Sequence, residues 1–233
     1  MLGIIISVKK ECFIFNLVNL KAMKESEHIK LNEEKWDKWA PVADGKGWRY
    51  EYLRKAQSHV ISLAEIKEGI DFLDIGCGTG WAVGLAAEKA NRRGTFYGVD
   101  LSAKMIEKAK ENFRDRENFH FIRANSESIP LDDHSFDVII CTNSFHHYLH
   151  PAKVMMEMNR LLKTGGKVYI LDPIADTLMI KIIDKVIGLL EPAHVKLYSS
   201  KEFKRMMESA GLRYAGCNSE NKEHKVQIGE KAK

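Results

Sequence analysis

The run at residues 72–80, FLDIGCGTG, constrains what this chain can fold into more than any other stretch. Ile70, Phe72, Leu73 and Ile75 are apolar enough for a buried parallel strand. Glycines then fall at alternate positions, Gly76, Gly78 and Gly80, and a helix-compatible stretch covers residues 81–90. Strand, glycine-rich turn and helix in that order let backbone come close to a nucleotide-like ligand, because glycine has no Cβ in the way and tolerates positive φ. Asp74, two residues before the first glycine, sits at the carboxyl end of the strand. A carboxylate there can accept hydrogen bonds from a cationic or amino-bearing ligand.

Beyond this unit the pattern is regular. Residues 95–99 form a second β-rich run ending in Asp100, and Ser102 can cap a helix through Met105 to Phe113. Residues 119–123 and 136–141 read as a third and fourth strand, followed by a polar and aromatic loop to His150. Pro151 opens a helix as a first-turn proline, which runs through Leu162 and stops at Gly165 and Gly166; residues 167–171 are a fifth strand. Such alternation implies right-handed crossovers and a parallel sheet covered on both faces. After Pro173 a helix rich in Ile and Leu is expected over 174–190, and Ser199 or Ser200 caps another through Met207. Residues 212–217 and 225–229 read as an antiparallel hairpin at the sheet edge. The expected fold is α/β: a Rossmann-like, doubly wound, mainly parallel seven-stranded sheet with a C-terminal antiparallel hairpin.

Upstream, residues 33–41 and 48–66 carry helical spacing, with Trp36 and Trp39 on one face. These aromatics either pack a core or cap a ligand cleft, with Trp39, Trp48 or Tyr50 facing a substrate. At 233 residues, 45% hydrophobic and 29% charged, the chain holds one α/β core and no room for two of ordinary size. Residues 23–233 are therefore read as a single domain, with 33–66 as an N-terminal helical cap and 174–198 as an insert that either covers a substrate site or packs as a helix on the sheet. Residues 1–22 are an extension with two short apolar patches split by Lys9, Lys10 and Glu11. Neither reaches the roughly 18–20 residues that span a bilayer, and the lysines follow the first patch where a secretory signal would have them precede it. Three readings of the extension stay open: a true start at Met23, an extra element packed on the domain, or a membrane-associating segment. No stable membrane insertion is expected. The formal charge of +4 is spread over the whole length, with no basic stripe, so no nucleic-acid partner is expected. Cysteines at 12, 77, 141 and 217 show neither CxxC nor zinc spacing, which suits reduced thiols in a cytoplasmic protein.

Two ligand classes compete for the glycine turn. Dinucleotides use GxGxxG, whereas the spacing here is GxGxG, and Trp81 stands where the third glycine would lie. Asp74 would also set a negative charge near phosphates. S-adenosylmethionine fits better, since it carries no phosphate but does carry a sulfonium and an ammonium. Asp100 lies where the ribose hydroxyls of either ligand could be gripped.

The chain resembles class I S-adenosylmethionine-dependent methyltransferases of the small-molecule type that includes ubiquinone- and menaquinone-biosynthesis enzymes. The resemblance runs from about Trp36 to the C-terminus and rests on ordered motifs: DIGCGTG at 74–80, GVDLS at 98–102, ANSESIPLDDHSFDVI at 124–139, SFHHYLHP at 144–151, LLKTGGKVYILDP at 161–173 and HVKLYSSKEF at 194–203. It implies that Asp74 and the backbone around Gly76, Cys77, Gly78 and Gly80 hold the methionine portion. Asp100 would take both ribose hydroxyls, with Leu101 and Met105 beside the adenine. Asn125 stands where the family usually has Asp at the adenine amino group, and Ser126 would offer a backbone N–H. Thr142 and Asn143 begin a loop beside the sulfonium. Thr164 replaces the usual proline of LKPGG in a surface turn. Glu127 and Ser128 read as solvated loop residues, and Asp137 as structural.

Methyl transfer is an in-line displacement, so alignment and exclusion of water carry much of it, and a base is needed only if the acceptor must lose a proton. His146, His147, His150 and His194 are available. His147 is preferred as an acid/base or acceptor-orienting group, with His194 second; the alternative for each is a structural histidine. No metal site is expected, since no partners stand at ligand spacing. The loop after strand four lacks the Pro-Pro-Tyr of amino-methylating DNA enzymes. The expected activity is direct methyl transfer to a small organic acceptor. The alternative is a catalytically idle S-adenosylmethionine-binding protein with a sensing or partner-supporting role.

Overall fold

The computed structural model describes residues 25–191, 193–219 and 224–232. The extension at residues 1–22 lies outside the described residues. Among the described residues two helices come first, α1 (Glu25–Trp39) and α2 (Trp48–Leu63), joined through a 3-10 turn at Ala40–Val42. The alternating part follows: β1 (Ile70–Ile75), α3 (Trp81–Lys89), β2 (Gly94–Asp100), α4 (Ala103–Asn112), β3 (Phe119–Arg123) and β4 (Phe136–Thr142). After a 3-10 turn at Phe145–His147 come α5 (Pro151–Leu161), β5 (Leu162–Pro173), α6 (Leu178–Leu190), α7 (Ser200–Ser209), β6 (Leu212–Ser219) and β7 (His224–Lys231).

The strands order as β3-β2-β1-β4-β5-β7-β6. β1 to β5 are mutually parallel, and β7 runs antiparallel to both β5 and β6. The expected doubly wound sheet with a terminal antiparallel hairpin is what the chain forms. Because strand side chains alternate between faces, neighbours on one strand feed two cores. Phe72, Phe96 and Val138 pack with Val60 of α2, Val83 and Ala86 of α3 and Ile106 of α4. Leu73, Val99 and Ile139 pack on the other face with Met155 and Met158 of α5 and Phe203 and Met207 of α7. The direction in which successive strands are laid down reverses between β1 and β4, and in open α/β sheets the ligand crevice opens beyond the carboxyl ends of the strands at that point.

Boundaries differ where tertiary bonds override local signals. α1 begins at Glu25 rather than 33, because its polar first turns are fixed by side chains: His28 Nε2 donates to the His147 carbonyl at 3.0 Å. β5 begins at Leu162, not after the glycine pair; Leu162 already pairs with Phe136, and the ladder shifts register between Phe136 and Val138. α6 begins at Leu178, since Thr177 Oγ1 accepts from Ile180 N and caps it there. Ser199 caps α7 in a reciprocal box with Glu202.

Candidate active site

A cavity of about 540 Å³ opens over the carboxyl ends of β1, β2 and β4, a size suited to a cofactor and a small substrate together. The glycine turn forms its floor. Gly76 has φ +80°, and a Cβ there would fall 2.4 Å from Ser144 Oγ, so only glycine lets the turn pass this close to the loop after β4. At Gly78 (φ +54°) a Cβ would meet nothing nearer than Met105 sulfur at 4.0 Å, which leaves open space facing the cavity. Gly80, the N-cap of α3, and Asp74 do not line the cavity, although both were expected among its contacts. Cys77, Leu101, Met105, Asn125, Ser126, Thr142 and Asn143 do.

Two carboxylates dominate the electrostatics. Asp100 accepts the Gly78 N–H on Oδ2 and the Ser102 N–H on Oδ1, each at 2.9 Å. Burial raises its pKa above the usual carboxylate range, with those amides pulling the other way. Asp74 is fully buried, and neither carboxylate oxygen has a partner among the described residues. Burial first, then repulsion from Asp100, pushes its pKa up to about 8. A buried, unpartnered carboxyl group costs stability until something satisfies it. Cys77 and Cys141, raised by burial (Cys141 to about 12), stay neutral thiols.

The opposite end is built from side chains of several elements. His146, His147 and His194 all line it, with ring centroids 4.0 Å apart for the first two and 5.5 Å for His146 and His194. Each histidine has one nitrogen committed. His147 Nδ1 donates to the Ala193 carbonyl at 2.7 Å, and burial, then the charge of His146, pushes its pKa down to about 2. His146 Nδ1 donates to Asp172, which is buried and also accepts the His146 N–H at 2.7 Å. His194 Nε2 donates to Asp184 at 2.7 Å. The other ring nitrogen of His146 and of His194 is left to accept a proton, with a carboxylate fixing the tautomer. His150 instead bonds Glu127 at 2.9 Å at the head of α5.

The N-terminal helices roof this space. Trp36 meets His147 edge-on at 5.4 Å, Trp39 stacks on Tyr50 at 5.7 Å, and Trp48 also lines the cavity. Asp37 Oδ1 accepts from Ser102 Oγ at 2.5 Å, and Asp44 Oδ1 accepts from Thr79 Oγ1 at 2.6 Å, tying α1 and its following turn to both ligand loops. Glu33 pairs with Arg123 at the end of β3. From the insert, Ile187, Glu191 and His194 reach the cavity, and Glu191 pairs with Lys35 at 3.2 Å.

Several of these roles were not legible beforehand. Asp172 and His146 stand 26 residues apart and meet only because β5 pairs with β4, although both lay in quoted motifs. Asp37 and Asp44 carried no signal beyond helix-surface acidity. Glu127 is not a solvated loop residue: its side chain is 11% exposed and is held by His150 and Lys153. Asn125 Oδ1 accepts the Glu127 N–H at 2.9 Å, an Asx turn that leaves its NH₂ free to donate. Asp137 lies at the other end of the sheet, accepting from Asp71 N and Lys163.

Known proteins share this fold. One solved chain in the complex between the Haloferax volcanii Trm112 methyltransferase activator and a methyltransferase superposes with a TM-score of 0.74 at 19% identity, covering 85% of this chain and 98% of that one. Demethylmenaquinone methyltransferase of Staphylococcus epidermidis is 26% identical over 196 residues, 81% of this chain and 79% of its own length. The uncharacterized methyltransferase YcgJ of Bacillus subtilis is 31% identical over 159 residues, 66% of this chain and 62% of YcgJ. A family model described as a methyltransferase domain matches residues 66–211. The chain belongs to that family, the class I S-adenosylmethionine-dependent methyltransferases, and S-adenosylmethionine is its cofactor.

Proposed function

We propose that this chain transfers a methyl group from S-adenosylmethionine directly to a small organic acceptor held under α1, α2 and the insert. The observation that carries the reading is the buried, unpartnered carboxyl group of Asp74, immediately behind the cavity-lining Ile75 and Gly76, together with the open space over Gly78. A cationic, phosphate-free ligand suits both, whereas a pyrophosphate would set further negative charge near Asp74. When bound, S-adenosylmethionine supplies a sulfonium methyl for in-line displacement. Asp74, set behind that lining, acts on the ammonium of the methionine portion through its charge, and the backbone of Gly76, Cys77 and Gly78 packs along it. Gly80 acts through the turn and the start of α3. Asp100 keeps one lone pair on each oxygen for the ribose hydroxyls, since each already accepts one amide. Leu101 and Met105 flank the adenine, Asn125 donates to a ring nitrogen, and Ser126 offers its N–H. Thr142 and Asn143 pass beside the sulfonium.

At the acceptor end, His146 and His194 are the proton acceptors for an acceptor that must lose one, each oriented by its aspartate. His147, kept neutral, orients the acceptor through Nε2. The tryptophans and the insert exclude water. The testing experiment incubates the protein with methyl-labelled S-adenosylmethionine and fractionated small molecules, alongside calorimetry with S-adenosylmethionine, S-adenosylhomocysteine and NADH. Label moving into an organic product and tight binding of the first two ligands support the proposal. Binding without transfer to any fraction returns the idle alternative; binding of NADH alone overturns the donor site.

A further inference from the structure

The insert helix α6 contradicts its own composition. Nine of its thirteen residues are Leu, Ile, Met or Val, yet none of them is buried. At roughly 100° per residue, Ile180, Asp184 and Ile187 make one narrow stripe facing the domain. Leu178, Met179, Ile182, Val186, Leu189 and Leu190 fill a continuous arc on the other side, with Leu178 at 75%, Ile182 at 57% and Leu190 at 80% exposure. Lys181 and Lys185 run along one border of that arc, both exposed.

Charge around this face is one-sided. Lys181, Lys185, Lys201 and Arg205 line a shallow depression next to α6, and none has an acidic partner among the described residues. The two acids that also line it are already committed. Asp184 accepts from His194 and from Leu197 N, and Glu202 accepts from Lys196 and Ser199. Apolar arc, lysine border and uncompensated positive charge together describe a helix that lies in a membrane interface. An interface between protein copies would instead be depleted in lysine. α6 does not span: thirteen residues give about 20 Å against a hydrocarbon core of about 30 Å, and no helix among the described residues is long and apolar enough to cross.

We propose that α6 docks this protein on an anionic lipid surface, lying flat with its apolar arc below the headgroups and its lysines among them. The same helix contributes Ile187 to the cavity wall, and Glu191 follows it immediately, so docking sets the acceptor end of the cavity against the membrane. The proposal goes beyond methyl transfer and requires no donor to be present.

The test is flotation of the full chain with phosphatidylcholine vesicles, with and without about one-third phosphatidylglycerol. The chain should float with the anionic vesicles and on the order of tenfold less with the neutral ones. Ile182→Gln with Leu189→Gln should cut flotation on the order of tenfold, and Lys181→Gln with Lys185→Gln should remove the anionic preference. All four side chains are exposed, so unchanged circular dichroism melts certify the fold of either variant. Absence of flotation, or flotation that neither pair of substitutions alters, overturns the proposal. So does a dimer in sedimentation velocity that the apolar pair dissolves, which would make the face a contact between copies of this chain.

Discussion

At the end of the cavity over β1 and β2, Gly76, Cys77, Gly78 and Asp100 belong to two adjacent strand ends and present mostly backbone. At the other end, Trp36, Gln57, His146, His147 and His194 arrive from α1, α2, the loop after β4 and the insert, and present only side chains. The first end is fixed by the ladder between β1 and β2 and by amides bonded to a carboxylate. The second is fixed by two aspartates, a carbonyl and edge-on rings. A site built from backbone tolerates little change of ligand; one built from side chains can be recast without disturbing the sheet. That division is why one fold serves a single donor and many acceptors.

The largest effect should come from the second end without touching the first. His146→Gln should lower kcat by about 10²- to 10⁴-fold for an acceptor that loses a proton, with donor affinity unchanged by calorimetry. Asp172→Asn should act in the same direction and alter the pH–rate profile; an unaltered profile would reduce His146 to packing. Next, Asp100→Ala should weaken donor binding by about 1.5–3 kcal/mol for each charge-assisted bond lost. Unchanged affinity would remove Asp100 from the ribose.

A smaller and more particular effect belongs to Asp74. With its pKa raised from 3.8 to about 8, the free protein holds it protonated at neutral pH. A bound cation favours the ionised form, so donor binding should release a proton and tighten as pH rises towards about 8, then level off. The raised value also means that the ligand-free fold loses stability as pH climbs between those two limits. Asp74→Asn should flatten both dependences, read by calorimetry in buffers of different ionisation enthalpy and by thermal melts. The smallest effect should be Asp44→Ala, which removes the Thr79 and Asn112 bonds at about 1 kcal/mol each and should raise the donor's off-rate.

The difference between the two ends also explains what could be read in advance. The glycine turn, Asp100, Met105 and the succession of strands and helices along the chain were legible because each depends on neighbours a few residues away. The Ser102 cap on α4, which accepts from Met105 N at 3.1 Å, belongs to the same class. Pairings such as His146 with Asp172, or His28 with the His147 carbonyl, depend on which strands lie side by side, and periodicity carries no trace of that. The preference for His147 over His146 failed to anticipate which ring would gain a carboxylate. The insert was legible as apolar, and its two readings were a cover for the cavity or a helix on the sheet. It contributes Ile187 to the cavity, but it also turns most of its apolar surface outward, and that outward face is what neither reading contained.

The ties from Glu33, Asp37 and Asp44 to Arg123, Ser102 and Thr79 fasten the leading helix across the loops that grip the donor. Spent donor must therefore leave past a clasp made of a few polar bonds, each individually weak and all broken together when the helix swings away. A turnover paced by that unfastening should slow in viscous solvent, whereas one paced by bond-making should not.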